Sequence, residues 1–452
     1  MAAAVSPARR WIILAMGLVL ASLAALYVFG ALEHSRRVNT DASTFDQSAY
    51  LHYAGQMRAT GYGYVGGRNR MPLYPFLQSL VYSSGLDEQQ RFERAKRLNI
   101  ALSVLALIVL YPILRRWLPP LATFSLILIS AFMVFIFKAA YVQCELVYYL
   151  LAFCSFLCML RFFESPGWRL GLLSGALLGL TQLTKASALP GLVCFCAVAG
   201  VWLLARALRA GRTSRPGLRV ADLATVGLVA VGFLAVVFPY IMTSKRVFGR
   251  YFYNVNSTFY IWYDTQEQVA NGTRLHGDRD GWPDMPADQI PGPARYFREH
   301  DAGQIVGRVV NGLRHLHQTA MKSYGYYKYL LLHAGFALAV VVARPRSWFP
   351  LSPAQKVQVF FCLCYFAGYL VLIAWSTASL WGANRIGLQL FLPMMFCFAL
   401  VIEASSRRLP AFQFRGMGLQ PARLFQAGIL CLLAPDIYVV LTSRLMAMAG
   451  GH

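Results

Sequence analysis

Four short stretches of this 452-residue chain set ionisable residues against apolar surroundings. The first holds Asp41 and Asp46, followed by Arg68-Asn69-Arg70-Met71-Pro72-Leu73-Tyr74-Pro75. The second, Lys138-Ala139-Ala140-Tyr141-Val142-Gln143-Cys144-Glu145, ends on an acid that opens an apolar run. The third is Leu183-Thr184-Lys185-Ala186-Ser187 and the fourth Trp381-Gly382-Ala383-Asn384-Arg385. Ionisable groups at membrane depth are expensive, which makes each a functional-site hypothesis. Carboxylates beside several cations suit a reaction that deprotonates a hydroxyl while binding an anionic phosphate leaving group. Taken singly, each residue also has a structural account. Asp46 suits a helix N-cap, Glu145 complements the positive end of a helix, and Lys185 and Arg385 can reach lipid headgroups. Their coincidence on one face of a membrane protein favours chemistry.

That placement follows from the elements. The chain is 57% hydrophobic and 13% charged, whereas a soluble protein carries about 25% charged residues. Lipid must solvate the excess apolar surface, and inside lipid only helices or closed barrels satisfy their own backbone. The apolar runs are about twenty residues long, the length of a helix crossing about 30 Å of hydrocarbon, and ten-residue alternating strands are absent. An all-α, polytopic transmembrane helical bundle is therefore expected. Eleven spans are expected: 11–30, 98–114, 119–137, 145–163, 168–184, 186–205, 221–241, 327–343, 357–376, 386–403 and 424–442. The first reads as an uncleaved anchor, being longer than a signal-peptide core. The whole of 1–452 reads as one membrane domain, with two long polar loops at 31–97 and 242–326. Asp436, inside the last span, has no evident purpose in the sequence.

The net charge of +23 gathers as arginine clusters between spans, a topology signal rather than a nucleic-acid footprint. With the N-terminus in the cytoplasm, one set of short loops holds Arg115, Arg116, Arg161, Arg169, Arg206, Arg209, Arg212, Arg215, Arg219, Arg344, Arg346, Lys356, Arg407, Arg408, Arg415 and Arg423. The other set holds Lys138, Lys185 and Arg385. Both long loops then lie outside, each carrying short amphipathic helices; Tyr50, Tyr53, Ala54 and Met57, with Phe45 before them, mark one. The nine cysteines fall in or beside spans, where they act as small packing residues. None is accompanied by histidine at zinc spacing. Asn256-Ser257-Thr258 and Asn271-Gly272-Thr273 have the form of glycosylation acceptors.

In order and placement these motifs resemble the GT-C superfamily of membrane glycosyltransferases. The nearest branch is that of dolichyl-phosphate-mannose–protein mannosyltransferases and lipid A aminoarabinose transferases. Its acid followed four positions later by an aromatic matches Asp46-Gln47-Ser48-Ala49-Tyr50, and its basic residue and prolines match Arg70-Met71-Pro72-Leu73-Tyr74-Pro75. Its second acid is similar to Glu145, its Leu-Thr-Lys turn to Leu183-Thr184-Lys185, and its late arginine to Asn384-Arg385 ahead of Gln389-Leu390-Phe391-Leu392-Pro393. Its long late loop resembles the stretch from Phe248-Gly249-Arg250 to Tyr296-Phe297-Arg298-Glu299-His300. Where many relatives have two adjacent acids, Gln47 follows Asp46. That departure leaves the base open between Asp46 and Asp41 and disfavours a metal there.

The resemblance implies inverting transfer of a sugar from a polyprenyl or dolichyl phosphate donor to a lipid, glycan or protein acceptor, on the outer side of a bacterial plasma membrane. It implies Asp46 or Asp41 as base, with Glu145 positioning the acceptor or a cation. Arg68, Arg70, Lys185 and Arg385 would bind the donor phosphate, and Tyr50 and Tyr74 the substrate. No cofactor and no metal are expected, and the partners are the two substrates and membrane lipids, not nucleic acid. The rival reading is a transporter of a lipid or small anion. It would favour paired interrupted helices in two related halves, and no internal repeat is visible. A non-catalytic lipid-binding scaffold would leave the clustered charges unexplained.

Overall fold

A computed structural model describes residues 7–210, 220–323, 325–343, 351–380, 385, 387–414 and 417–447. The backbone is overwhelmingly helical. A helix satisfies its hydrogen bonds internally, which is the requirement that lipid imposes. Along the chain run α1 (Pro7–Arg37), α2 (Gln47–Ala59), α3 (Leu73–Ser79), α4 (Glu88–Arg115) and α5 (Pro120–Ala139). Then come α6 (Glu145–Phe162), α7 (Trp168–Thr184), α8 (Leu189–Ala210), α9 (Val220–Phe248) and α10 (Pro293–Glu299). Further along, beyond short helical turns at Val255–Thr258 and Gln266–Asn271, are α11 (Ala302–Lys322), α12 (Tyr326–Val342), α13 (Pro353–Ser376), α14 (Leu388–Ser406) and α15 (Pro421–Ala447). A helix stands at each of the eleven expected spans. Nine of the described helices are long and apolar enough to cross a membrane. The other two, α7 and α12, have 17 residues each, the short end of the spanning range.

Several helix ends run past the expected bounds, as α1 does to Arg37. Helix α4 starts ten residues before the apolar run, because Asp87 and Gln90 form a capping box and a polar first stretch continues the helix. Helix α9 runs on to Phe248 through Lys245 and Arg246. The arginines Arg212, Arg215, Arg219, Arg344, Arg346 and Arg415, which orient the bundle by sequence, lie outside the described residues. A short antiparallel pair, β1 (Phe412–Phe414) with β2 (Met417–Leu419), joins α14 to α15.

Helices α7 and α9 are in close backbone contact. Gly171, Gly175 and Gly179 recur every fourth residue on α7. A β-carbon added at Gly175 would meet the carbonyl oxygen of Val229 at 2.1 Å, and one at Gly171 that of Thr225 at 2.8 Å. From α9, Gly232 approaches the carbonyl of Leu172 in the same way. Small residues at this spacing let helix backbones meet where no hydrophobic drive exists between them. The spacing is legible in the sequence. Its consequence is positional, since α7 ends at Lys185.

The two polar segments pack on each other. Asn254 donates to the carbonyl of Arg68 at 2.9 Å, Asn256 donates to Asn69 Oδ1 at 3.2 Å, and Val65 packs among Phe248, Tyr253 and Phe259. Both therefore sit at one end of the bundle. Helix α2 buries Tyr50, Tyr53, Ala54 and Met57, while Phe45 stays exposed. Phe45 and Arg68 take left-handed backbone angles, φ +57° and +51°, an uncommon conformation for side chains of this size.

Candidate active site

Asp46 stands at the N-terminus of α2, yet its side chain makes no capping hydrogen bond. Arg70 donates from Nη2 to Asp46 Oδ1, and Arg385 donates from Nη1 to Oδ2 at 3.1 Å. The same Arg385 nitrogen lies 3.8 Å from Glu145 Oε1, and Lys185 Nζ lies 3.5 Å from that oxygen. Residues 339 positions apart thus share one network, drawn from α2, the α2–α3 connection, the start of α6, the end of α7 and the approach to α14. Lys138, at the C-terminal end of α5, is within electrostatic reach of Arg385, Glu145, Lys185 and Asp46. Two carboxylates thus face three paired cations, Arg70, Lys185 and Arg385, which leaves net positive charge where an anion could sit. Burial pushes the Asp46 carboxyl up, but Arg70 and Arg385, with Lys185 behind them, outweigh it and hold the carboxyl below its ordinary range.

Each member is braced. Tyr149 donates to the carbonyl of Arg385 at 2.8 Å. The Lys185 ammonium lies over the Tyr148 ring, 5.6 Å from its centre, and the Tyr148 hydroxyl meets Ser187 Oγ at 2.7 Å and donates to Gln389 Oε1. The Arg70 guanidinium lies 5.7 Å from the centre of the Tyr50 ring. Cations at this range are attracted by the ring quadrupole. Asn99 on α4 donates to the carbonyls of Lys138, Ala139 and Tyr141 at 3.1, 3.1 and 2.7 Å, fixing the turn that delivers Glu145.

Gln47 has a definite task. Its amide pairs reciprocally with that of Asn39, 2.8 Å in each direction, and its Oε1 accepts from the Val142 N–H at 2.9 Å. A carboxylate could accept these bonds but could not donate. Gln47 therefore ties the first polar segment to the turn before Glu145 and leaves Asp46 as the acid directed at the cations.

Several candidates lie elsewhere. Asp41 is exposed and accepts from its neighbour Ser43, from N at 2.8 Å and Oγ at 2.7 Å, in a local turn. The Ser43 bonds hold its carboxyl below the usual value. Arg68 is buried against the Tyr240 ring, 3.9 Å from its centre, and donates to the Tyr240 carbonyl at 3.4 Å. Its side chain thus packs on α9, while its carbonyl accepts from Asn254 at the junction of the two polar segments. Tyr74 is fully buried, donating to Asn99 Oδ1 at 3.0 Å and accepting from Gln78 at 2.8 Å, so it is a strut. Tyr50 donates to Cys144 Sγ at 3.1 Å and forms the wall behind Arg70. Trp381 to Asn384, ahead of Arg385, lie outside the described residues.

Lys138, Tyr148, Asn99 and Gln389 belong to the site or its frame and were not among the expected site residues. The signal for Lys138 was its position at membrane depth. Tyr148 lies three residues after Glu145, one helical turn along.

Two solved structures share the helical layout. Both are crystal structures of ArnT from Cupriavidus metallidurans, one in the apo state and one bound to undecaprenyl phosphate. They are 14% identical to this chain, with TM-scores of 0.44 and 0.46, covering 98% and 96% of it and 74% and 72% of their own length. No family model matches the sequence, and no curated protein matches it significantly. A likeness this distant assigns neither activity nor ligand, and the functional reading rests on the site's own residues.

Proposed function

We propose that this protein is a membrane glycosyltransferase that moves a sugar from a polyprenyl phosphate carrier to an acceptor hydroxyl or amine. The supporting observation is the network itself: Asp46 and Glu145, from distant parts of the chain, bridged by Arg385 and flanked by Arg70 and Lys185. Structure alone does not require such a network, because ionisable groups at membrane depth are costly. The motif resemblance of the sequence points the same way. Displacing a sugar from a lipid phosphate needs positive charge, already in place, where the leaving phosphate gathers negative charge. It also needs a base for the acceptor proton.

In the reaction the acceptor oxygen or nitrogen forms a bond to the anomeric carbon. The bond from that carbon to the phosphate oxygen breaks, with its electron pair leaving on the lipid phosphate. The acceptor proton passes to Asp46. Arg70 and Arg385 hold both oxygens of Asp46, which makes it a weak base. A donor phosphate competes for the same guanidiniums and so frees Asp46 to accept a proton. Glu145 keeps Lys185 and Arg385 in place through this exchange.

The site would face the non-cytoplasmic side, as the arginine distribution implies. Transfer of radiolabelled sugar from a polyprenyl phosphate donor, assayed in membranes with matched protein levels, tests the reading. Loss of transfer in Asp46→Asn supports it. Full activity in both Asp46→Asn and Asp41→Asn would favour the transporter instead.

A further inference from the structure

A cavity of about 960 Å³ lies apart from this network, between α12 and α15. Three basic residues, Lys322, Lys328 and Arg444, line it with a single acid, Asp436. Asp436 is already committed: Lys328 Nζ and the Tyr329 hydroxyl each lie 2.6 Å from its Oδ2. This pair explains an acid in the middle of a span. It also leaves Lys322 and Arg444 as uncompensated positive charge among the lining residues. Gly325, at φ +88°, makes a left-handed turn with no side chain, and a β-carbon there would come within 2.9 Å of Arg444 Nη1. The glycine lets the guanidinium fold over the turn at the cavity mouth. Arg444 ends a π-helical turn, Val440–Arg444, a local widening of the helix frequent at functional sites.

The rest of the wall is apolar. It descends past Leu331 and Gly335 to a stacked pair, Phe336 on α12 and Phe425 on α15, with ring centres 4.2 Å apart. From Asp436 to Phe425 is eleven residues of α15, about 16 Å at 1.5 Å per residue. That is about half of a 30 Å hydrocarbon core, or one leaflet. The cationic end is where the amphipathic helix α11 meets α12.

We propose that this cavity seats a lipid with an anionic phosphate headgroup, held by Lys322, Lys328 and Arg444, with its chain along the Gly335–Phe425 wall. Charge-assisted contacts to phosphate in a partly dry site are strong, and one leaflet of apolar wall suits one lipid chain. The proposal does not depend on the glycosyltransferase reading. Bulk anionic phospholipid and a polyprenyl phosphate share this chemistry.

The purified full chain, in neutral detergent, would be titrated with phosphatidylglycerol, undecaprenyl phosphate or phosphatidylcholine, and bound lipid counted by native mass spectrometry. A background of Arg70→Gln with Arg385→Gln removes the first site and with it any dependence on the proposed function. In that background one anionic lipid is expected to remain bound, and adding Lys322→Gln with Arg444→Gln to weaken it at least about tenfold. Whichever anionic lipid binds more tightly identifies the source. Gly335→Leu fills the wall and leaves the charges intact, so its loss of binding would support the cavity even if the charge variants misfold. Unchanged binding in both kinds of variant, equal binding of phosphatidylcholine, or loss of all bound lipid with Arg70 and Arg385 alone would overturn the proposal.

Discussion

Asp46 has two possible jobs, and one substitution separates them. Asn caps a helix about as well as Asp, and the Asp46 side chain makes no capping bond, so Asp46→Asn removes charge and basicity alone. Turnover is expected to fall by about 10²–10⁴-fold, while Asp41→Asn, confined to the Ser43 turn, should leave it unchanged. The pH dependence follows from the same contacts. The Asp46 carboxyl is held below its ordinary value, so it contributes stability above the unfolded carboxylate pKa of about 3.9 and loses it as pH falls through the lower folded value. The acid limb of kcat/KM, which reports the free enzyme, should therefore fall below the usual carboxylate range. The limb of kcat should lie higher, because bound donor phosphate draws Arg70 and Arg385 away. Coincident limbs would show that the cations never leave Asp46. Arg70→Ala and Lys185→Ala should each impair donor use through KM or kcat; normal values for both in folded, inserted protein would remove the phosphate from this site.

At the scale of elements, the decisive contact is between α7 and α9. Lys185 directly follows the C-terminal end of α7, so its distance to Glu145 depends on how closely the Gly171–Gly175–Gly179 face meets α9. Gly175→Leu places a side chain against the Val229 carbonyl and forces the helices apart. Overpacking of this kind costs about 1–3 kcal/mol, and backbone in the path raises it. We expect a lower unfolding temperature in detergent and a loss of donor use resembling that of Lys185→Ala. A variant of normal stability and activity would mean that α7 can slide without moving the site. Gln47 works at the same scale: Gln47→Glu sets a carboxylate against Asn39 with nothing to donate, and should loosen the turn that presents Glu145.

For the whole molecule the open quantity is orientation. The two polar segments touch and share one end with the ion-pair network, so one reporter fixes the side for all of them. Fusions after Arg215 and after Thr273 are expected to report inside and outside respectively. The opposite pair of signals would turn the site towards the cytoplasm. On the proposed glycosyltransferase reading the donor enters from the membrane, and the net positive charge of the network would attract its phosphate.

Much of this was legible in the chain itself. Apolar runs about twenty residues long determine where helices cross, because backbone in lipid must bond to itself, and a helix stands at every expected position. Residue chemistry also singled out Asp46, Glu145, Lys185 and Arg385, since charge at membrane depth is rarely idle. Periodicity has no access to partners in space. It could not separate Asp46, gripped by arginines from two distant segments, from Asp41, satisfied two residues away in its own turn. Nor could it tell that Arg68 packs its side chain on α9 while Arg70, two residues on, reaches the carboxylate, or that Tyr74 is a strut. Asp436 had no explanation until Lys328, 108 positions away, came to meet it. Spans are decided by local hydrophobicity over one helix length; the site is decided by which helix ends meet, and that depends on packing between segments that the sequence keeps far apart.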